Sequence, residues 1–119
     1  MIISFGWTTP ALVAGHKTVT RRDWKQQHAA KFKAGMIVDA WNTSPRNVHM
    51  SPRKIATIRI TRDPYIESSA DFYPDEEAEG FWWLIENGHA ETVADIGESW
   101  LSKPHPLYVV RFEVVEVLA

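Results

Sequence analysis

The sequence of 119 residues contains no cysteine and carries little net charge. Without cysteine the chain forms neither disulfides nor thiolate metal sites, which excludes the small secreted folds that disulfides hold together. Its formal net charge is −2, from 13 basic and 15 acidic residues. That balance argues against a protein that binds nucleic acid mainly through its overall charge. The sequence also lacks an apolar run near the ~20 residues of a membrane span, so no membrane partner is expected.

Histidines and acidic residues show no spacing that is typical of a metal site. No two of the five histidines stand at H-x-x-x-H spacing, and the acidic residues are not grouped as D-x-D. We therefore expect no metal and no other cofactor. Residues 1–5 lack the charged region and long apolar run of a signal peptide, so we expect a cytoplasmic protein.

Charge is distributed unevenly along what we expect to be a single domain spanning residues 1–119. Residues 16–33 and 46–62 are basic, whereas residues 63–98 are strongly acidic. If the two basic stretches meet in space, they form a local surface for an anionic ligand on an acidic body. Solvated faces are the commoner interpretation of such stretches.

Hydrophobic patterning predicts strands at both ends and in the middle of the chain, with helices between them. The predicted strands are residues 2–5, 36–41, 54–62 and 108–114. The predicted helices are residues 10–14, 23–34, 74–86 and 89–101. This order indicates a mixed α+β fold, and the pattern alone does not distinguish a barrel from an open sheet.

Residues 15–22, with the sequence G-H-K-T-V-T-R-R, carry chemistry without an obvious packing purpose. They combine a glycine, a lysine, two hydroxyls and two guanidinium groups. In an ideal strand the side chains of Lys17 and Thr20 point to opposite faces, so both reach one pocket only if the segment bends. The alternative interpretation is a basic, solvated loop.

Residue types alone leave the roles of three side chains open. Lys17 is either an anchor for an anion or, where burial and neighbouring arginines lower its pKa, a base. Thr20 is either a nucleophile, if a base takes its proton, or only a hydrogen-bond donor. Glu79 is either an acid for proton transfer beside indole surface or an exposed helical glutamate. A base, a nucleophile and an acid together suit acyl transfer.

The motif G-x-K-x-x-T-x-R resembles the start of the ASCH domains, small proteins with a PUA-like fold. Three further segments resemble ASCH segments in the right order: a strand entry at residues 35–38, an E-G-F helix at 78–81 and a closing strand at 108–114. The resemblance therefore covers nearly the whole chain. It implies a small, partly closed β-barrel of PUA-like type that is decorated by helices, with a cleft beside the G-H-K turn.

One ASCH branch of about this size consists of amidohydrolases that remove the acetyl group from N(4)-acetylcytidine. Carried over residue by residue, the resemblance implies catalytic roles for Lys17, Thr20 and Glu79. Thr20 would attack the amide carbonyl after losing its proton to Lys17, and Glu79 would bind or protonate the leaving cytosine amine. The residues expected to contact the substrate are Trp7, Arg21, Arg22 and Trp41.

Another ASCH branch is reported to bind or cut single-stranded RNA, which gives the alternative function. The chain would then be an RNA-binding module or a metal-independent ribonuclease that uses the same basic cleft, with tryptophans as stacking platforms. A third class is a non-catalytic ligand-sensing module. The expected partner is thus a modified nucleoside or RNA, and no protein partner is predicted. His16, the double arginine and the long loop 43–53 depart from the amidohydrolase pattern and leave the substrate open.

Overall fold

A computed structural model describes residues 1–118, without the side chains of residues 93–96. Within that range six strands form one sheet that curls into a half-barrel, and short helices connect them. The strands are β1 (Ile2–Ser4), β2 (Val19–Arg22), β3 (Ile37–Trp41), β4 (Lys54–Ile60), β5 (Tyr65–Ser68) and β6 (Pro106–Val117). The α-helices are α1 (Thr9–Val13), α2 (Gln26–Ala29), α3 (Phe81–Glu86) and α4 (Val93–Ser102). The predicted mixed α+β half-barrel is confirmed.

Strand β6 organises the sheet because it pairs with three other strands. Its first half lies between β5 and β2, antiparallel to both, and its second half pairs antiparallel with β4. From β4 the sheet continues to β3 and then to β1, which runs parallel to β3. Along one edge of β6, β5 therefore pairs with the first half and β4 with the second half. This change of partner curls the sheet around its interior.

The interior of the half-barrel is filled by a hydrophobic cluster from the sheet, α1 and the segment after α2. Its buried members are Ile3, Phe5, Leu12, Phe32, Val38, Ala40, Ile55, Ala56, Ile58, Ile60, Val110 and Phe112. The alternation predicted for β4 is confirmed, since Ile58 and Ile60 are buried and Arg59 is exposed. A second cluster packs the helices together and consists of Ala11, Phe72, Phe81 and Leu84, with Trp83 and Trp100 against it.

Helix α3 begins later than the sequence pattern predicts. Pro74 and the acids after it have the composition of a first helical turn, yet a 3-10 turn spans Tyr73–Asp75 and the α-helix starts at Phe81. Glu79 therefore precedes the helix instead of lying on it. The physical reason is that Asp75 and Glu79 form buried ion pairs, described below. Asp75 is therefore not a solvated first-turn acid, and Glu79 is not an exposed helical glutamate.

Other local predictions also need correction. Strand β5 lies in a polar stretch for which the pattern predicts no strand, and α2 starts at Gln26 instead of next to Asp23. Trp82, which falls on the predicted apolar stripe of the third helix, is 48% exposed. The tryptophan of the second predicted helix nevertheless packs as expected, because the rings of Trp24 and Phe32 stack with centroids 4.6 Å apart. No helix in the described part of the chain is long and apolar enough to cross a membrane.

Candidate functional site

A cleft of about 450 Å³ opens where the start of β2, the 3-10 turn Gly6–Thr8 and the start of α3 meet. Its lining comprises Ser4, Phe5, Gly6, Trp7, Thr8, Lys17, Thr20, Arg21, Arg22, Glu79, Phe81 and Trp100. The three side chains that the sequence singles out as catalytic, Lys17, Thr20 and Glu79, therefore line one cleft.

Lys17 and Thr20 both reach the cleft because β2 begins only at Val19. Lys17 lies before the strand, so the alternation of side chains along β2 does not determine the direction of its side chain. Both side chains can therefore reach one pocket without a bend within the strand. Thr20 and Arg22 are two residues apart on β2 and share one face. The Nε atom of Arg22 donates a hydrogen bond of 3.1 Å to Oγ1 of Thr20, which fixes the hydroxyl oxygen within the cleft.

The segment that carries Glu79 lies directly against the segment that carries Lys17. The carbonyl of Ala78 accepts hydrogen bonds of 2.7 Å from the backbone amide of Thr18 and 3.2 Å from that of Val19. Gly80 has a φ of +83°, and a Cβ atom there would lie 2.7 Å from Cβ of Ala11 and 3.4 Å from Cβ of Lys17. The glycine of the E-G-F segment therefore permits a backbone approach that any other residue would disturb.

Lys17 is buried at the base of the cleft, with 1% of its surface exposed. Its Nζ atom donates hydrogen bonds of 3.0 Å to the carbonyl oxygen of Glu79 and 3.2 Å to Oε2 of the same residue. Burial lowers the pKa of Lys17; the charge of Glu79 opposes this effect, and the charges of Arg22 and Arg21 add to it. A lowered pKa favours the neutral amine that a general base requires.

Arg21 is enclosed by carboxylates and its side chain is 0% exposed. Its NH1 atom donates to Oε1 of Glu79 at 3.2 Å, and its NH2 atom donates to Oε1 of Glu67 at 2.9 Å and Oδ2 of Asp75 at 2.7 Å. Burial acts to lower the pKa of Arg21, but the hydrogen bond to Asp75 and the charge of Glu79 outweigh it, so the pKa is raised. Arg21, predicted as a substrate contact, lines the cleft and is bound by three carboxylates, of which Asp75 is the nearest.

Arg22 is placed differently, because none of the carboxylates that the structure describes forms a salt bridge with it. Its guanidinium lies 5.3 Å from the centroid of the Phe5 ring. Burial lowers the pKa of Arg22 to about 10, although the charge of Glu79 acts in the opposite direction. Arg22 thus remains protonated at neutral pH and offers a cation to a ligand in the cleft.

The aromatic walls of the cleft include one of the two tryptophans predicted to contact the substrate. Trp7 is 52% exposed at the cleft, and its ring lies nearly parallel to that of Phe81, with centroids 6.4 Å apart and an interplanar angle of 13°. Trp41 is half-buried at the end of β3 and is not among the residues found to line the cleft. Trp100 of α4, which the sequence did not single out for the site, lines it instead.

Sequence reasoning missed the ion pairs behind the cleft. Asp75 binds Arg21 and also accepts hydrogen bonds from NH2 of Arg111, at 3.0 Å to Oδ1 and 2.8 Å to Oδ2. The Nε atom of Arg111 donates to the hydroxyl of Tyr65 at 3.0 Å. Asp75 and Glu67 stand in the acidic stretch 63–98, where solvated carboxylates are the expected case. No local pattern marks them, because their partners are distant in sequence.

Cations of the basic stretch 46–62 are partly paired with acids on the surface. Lys54 binds Asp39 at 2.9 Å, and Arg59 binds Glu113 across neighbouring strands. These pairs reduce the charge that this stretch offers to an anionic partner. Among the residues described, no group of three or more histidine, aspartate or glutamate side chains is arranged to hold a metal ion.

Comparisons with known proteins bear on the fold. No family model matches the chain, and no curated protein matches it. A solved structure, that of protein EF3133 from Enterococcus faecalis V583, described by the family model DUF984, is similar with a TM-score of 0.57. The two sequences are 20% identical over 99% of this chain and 81% of that one. The likeness supports the curled half-barrel, and at this identity it shows the fold alone.

Proposed function

We propose that the protein is an amidohydrolase of the ASCH type that removes an acyl group from an N(4)-acylated cytidine or a related nucleoside. The observation that carries the proposal is the meeting of Lys17, Thr20 and Glu79 in one cleft, with Lys17 buried and its pKa lowered. A half-barrel is compatible with the PUA-like fold of ASCH domains. The cleft volume of about 450 Å³ suits a small-molecule site.

The first step uses the hydrogen-bond pattern around Lys17. A neutral lysine amine has two N–H donors and one lone pair. Both donors have acceptors on Glu79, so the lone pair is available for the proton of Thr20. Oγ1 of Thr20 accepts a hydrogen bond from Arg22, which leaves the hydroxyl proton free for transfer. Oγ1 then bonds to the acyl carbonyl carbon as its proton moves to Lys17.

The second step breaks the bond between the carbonyl carbon and the exocyclic nitrogen. Lys17 returns the proton to that nitrogen, and the carboxylate of Glu79 accepts a hydrogen bond from the departing amine. Arg22 binds the carbonyl oxygen, where negative charge develops. Water then attacks the threonine ester, which releases the carboxylic acid and restores the hydroxyl of Thr20. The exposed ring of Trp7 offers a stacking surface for the base.

The test is to incubate the purified protein with N(4)-acetylcytidine and to follow cytidine and acetate by chromatography. Thr20→Val keeps the shape of the side chain and removes the nucleophile, and we expect kcat/KM to fall by about 10³-fold or more. Thr18→Val is the matched control, since Thr18 is exposed and does not line the cleft that the structure describes. Equal activity of both variants would contradict the role of Thr20.

The exposure of Trp7 in a cleft that Arg22 also lines favours one second candidate, the binding or cleavage of single-stranded RNA in the same cleft. Absence of cytidine release by the wild type at high enzyme concentration would favour it. RNA binding then requires a salt-sensitive affinity for a labelled oligonucleotide that falls in Arg22→Gln. Cleavage requires fragments that disappear in Lys17→Met.

A further inference from the structure

Five side chains form a line of alternating charge from the surface to the base of the cleft: Arg111, Asp75, Arg21, Glu79 and Lys17. The closest contacts along it are 2.8 Å, 2.7 Å, 3.2 Å and 3.2 Å. The exposed fraction of these side chains falls from 33% at Arg111 to 1% at Lys17. The line thus connects a partly solvated arginine to the proposed base.

Asp75 is the second member of this line, between Arg111 and Arg21, although it does not line the cleft that the structure describes. Both of its oxygens bind NH2 of Arg111, and Oδ2 also accepts from NH2 of Arg21. Burial acts to raise the pKa of Asp75, but the hydrogen bonds from Arg21 and Arg111 outweigh it and hold the pKa below its ordinary value. Asp75 therefore stays ionised at neutral pH.

The guanidinium of Arg21 transmits this constraint because it is planar and rigid. With NH2 held by Asp75 and Glu67, NH1 is directed at Oε1 of Glu79. That contact leaves Oε2 of Glu79 for Lys17. A guanidinium freed on one side would turn and draw the carboxylate away from Lys17.

We propose that Asp75 is a positioning residue of the site, which through Arg21 holds the Glu79 carboxylate in the orientation that binds Lys17. This inference rests on the proposed function for its catalytic consequence. Asp75 also balances the charge of Arg21. Without that balance, Glu67 and Glu79 are the carboxylates described that still offset the charge of Arg21, and the orientation of Glu79 is no longer fixed through Asp75.

Glu67 provides the matched control. It binds the same NH2 atom of Arg21, at 2.9 Å, but its side chain is 29% exposed and, in the described part of the chain, it forms no salt bridge with a second arginine. Neutralising Glu67 removes an equal charge at a similar distance from Arg21, and water screens much of its effect. A role specific to Asp75 therefore predicts a larger effect for Asp75→Asn than for Glu67→Gln.

The experiment compares wild type, Asp75→Asn, Asp75→Glu and Glu67→Gln with two readouts. The first, which needs no substrate, is an NMR pH titration of the Lys17 side chain in protein labelled with ¹³C-lysine, assigned by the signal lost in Lys17→Met. The second is kcat/KM for N(4)-acetylcytidine. We expect Asp75→Asn to lower the Lys17 titration midpoint and to reduce kcat/KM by about 10- to 100-fold. Glu67→Gln changes both less, and Asp75→Glu restores the midpoint.

The two readouts separate this inference from the proposed function. A wild type that releases no cytidine contradicts the amidohydrolase proposal, while the Lys17 titration still decides the positioning role. An unchanged midpoint in Asp75→Asn, or an equal change in Glu67→Gln, would overturn the inference. If circular dichroism shows that Asp75→Asn does not fold, Arg111→Lys replaces it, because it keeps the positive charge and gives up the contact of one guanidinium nitrogen with both Asp75 oxygens. A midpoint unchanged in Arg111→Lys would then overturn the inference.

Discussion

Lys17 and Glu79 differ in the ion-pair partners that remain after the other residue is substituted. Glu79 keeps Arg21 as a partner after loss of Lys17, whereas Lys17 and Arg21 both lose a buried carboxylate after loss of Glu79. Breaking a buried pair is costly when a charge is left uncompensated. The two substitutions should therefore differ in stability.

We expect Glu79→Gln to lower the free energy of unfolding by about 3 to 5 kcal/mol. Lys17→Met, which replaces the buried amine by an apolar chain of similar length, should cost at least about 1 kcal/mol less. Urea denaturation at pH 7 measures both values. A larger loss in Lys17→Met than in Glu79→Gln would show that Arg21 does not compensate Glu79.

The pH dependence of the proposed reaction follows from two pKa shifts in the cleft. Since the pKa of Lys17 is lowered, its neutral form appears at a lower pH than for an ordinary lysine, and kcat/KM should rise with pH through that lowered value. The pKa of Arg22 is lowered to about 10, so activity should fall above pH 10 as the cation is lost. Initial rates across this range test both limbs, and a profile that still rises above pH 10 would contradict the role of Arg22.

At the scale of elements, the turn before α3 depends on Gly80. An alanine there meets Ala11 and also has to adopt a positive φ, whereas a Cβ atom added at Gly88, where φ is +79°, would have nothing within 4 Å. We expect Gly80→Ala to cost about 2 to 4 kcal/mol and Gly88→Ala only about 1 kcal/mol. Urea denaturation measures the free energy of unfolding of both variants. The difference between them is the steric cost at Gly80, since both variants carry the strain of a positive φ. Equal losses would show that the turn shifts to accommodate the methyl group.

The elements that the sequence predicted best are those whose structure is decided locally. Alternation identifies β4, in which Ile58 and Ile60 are buried and Arg59 is exposed. Where charged side chains decide the structure, prediction fails. Asp75 resembles a helix first-turn acid in sequence and Glu79 a glutamate within the helix, but both bind Arg21, more than fifty residues earlier.

The proposed site shows the same division. The motif at residues 15–22 indicates Lys17 and Thr20, because their chemistry is visible in their residue types. Asp75 and Arg111 have no such signal, since their role depends on contacts between segments that only the fold brings together. The position of Trp41 also depends on the fold, since it lies at the end of β3 and is not among the described residues that line the cleft.

At the scale of the whole molecule, the ion pairs behind the cleft make stability depend on pH. The pKa of Asp75 is held below its unfolded value of 3.8, so the ionised group contributes stability that is present above pH 3.8 and lost as the pH falls through the folded-state pKa. Wild type should therefore lose more stability than Asp75→Asn between pH 5 and the acid limit of folding. Urea denaturation at a series of pH values measures this, and parallel curves for the two proteins would contradict it.

Strand β6 also sets the order of events when the chain is made. β2 and β5 find their ladder partners on β6, and residues such as Val19 and Arg111 pair across most of the sequence. When β1 to β5 have emerged from the ribosome, β2, β4 and β5 therefore still lack their common neighbour β6. We expect the cleft to assemble only after β6 has left the exit tunnel, and until then the nascent chain presents unpaired strand edges to chaperones.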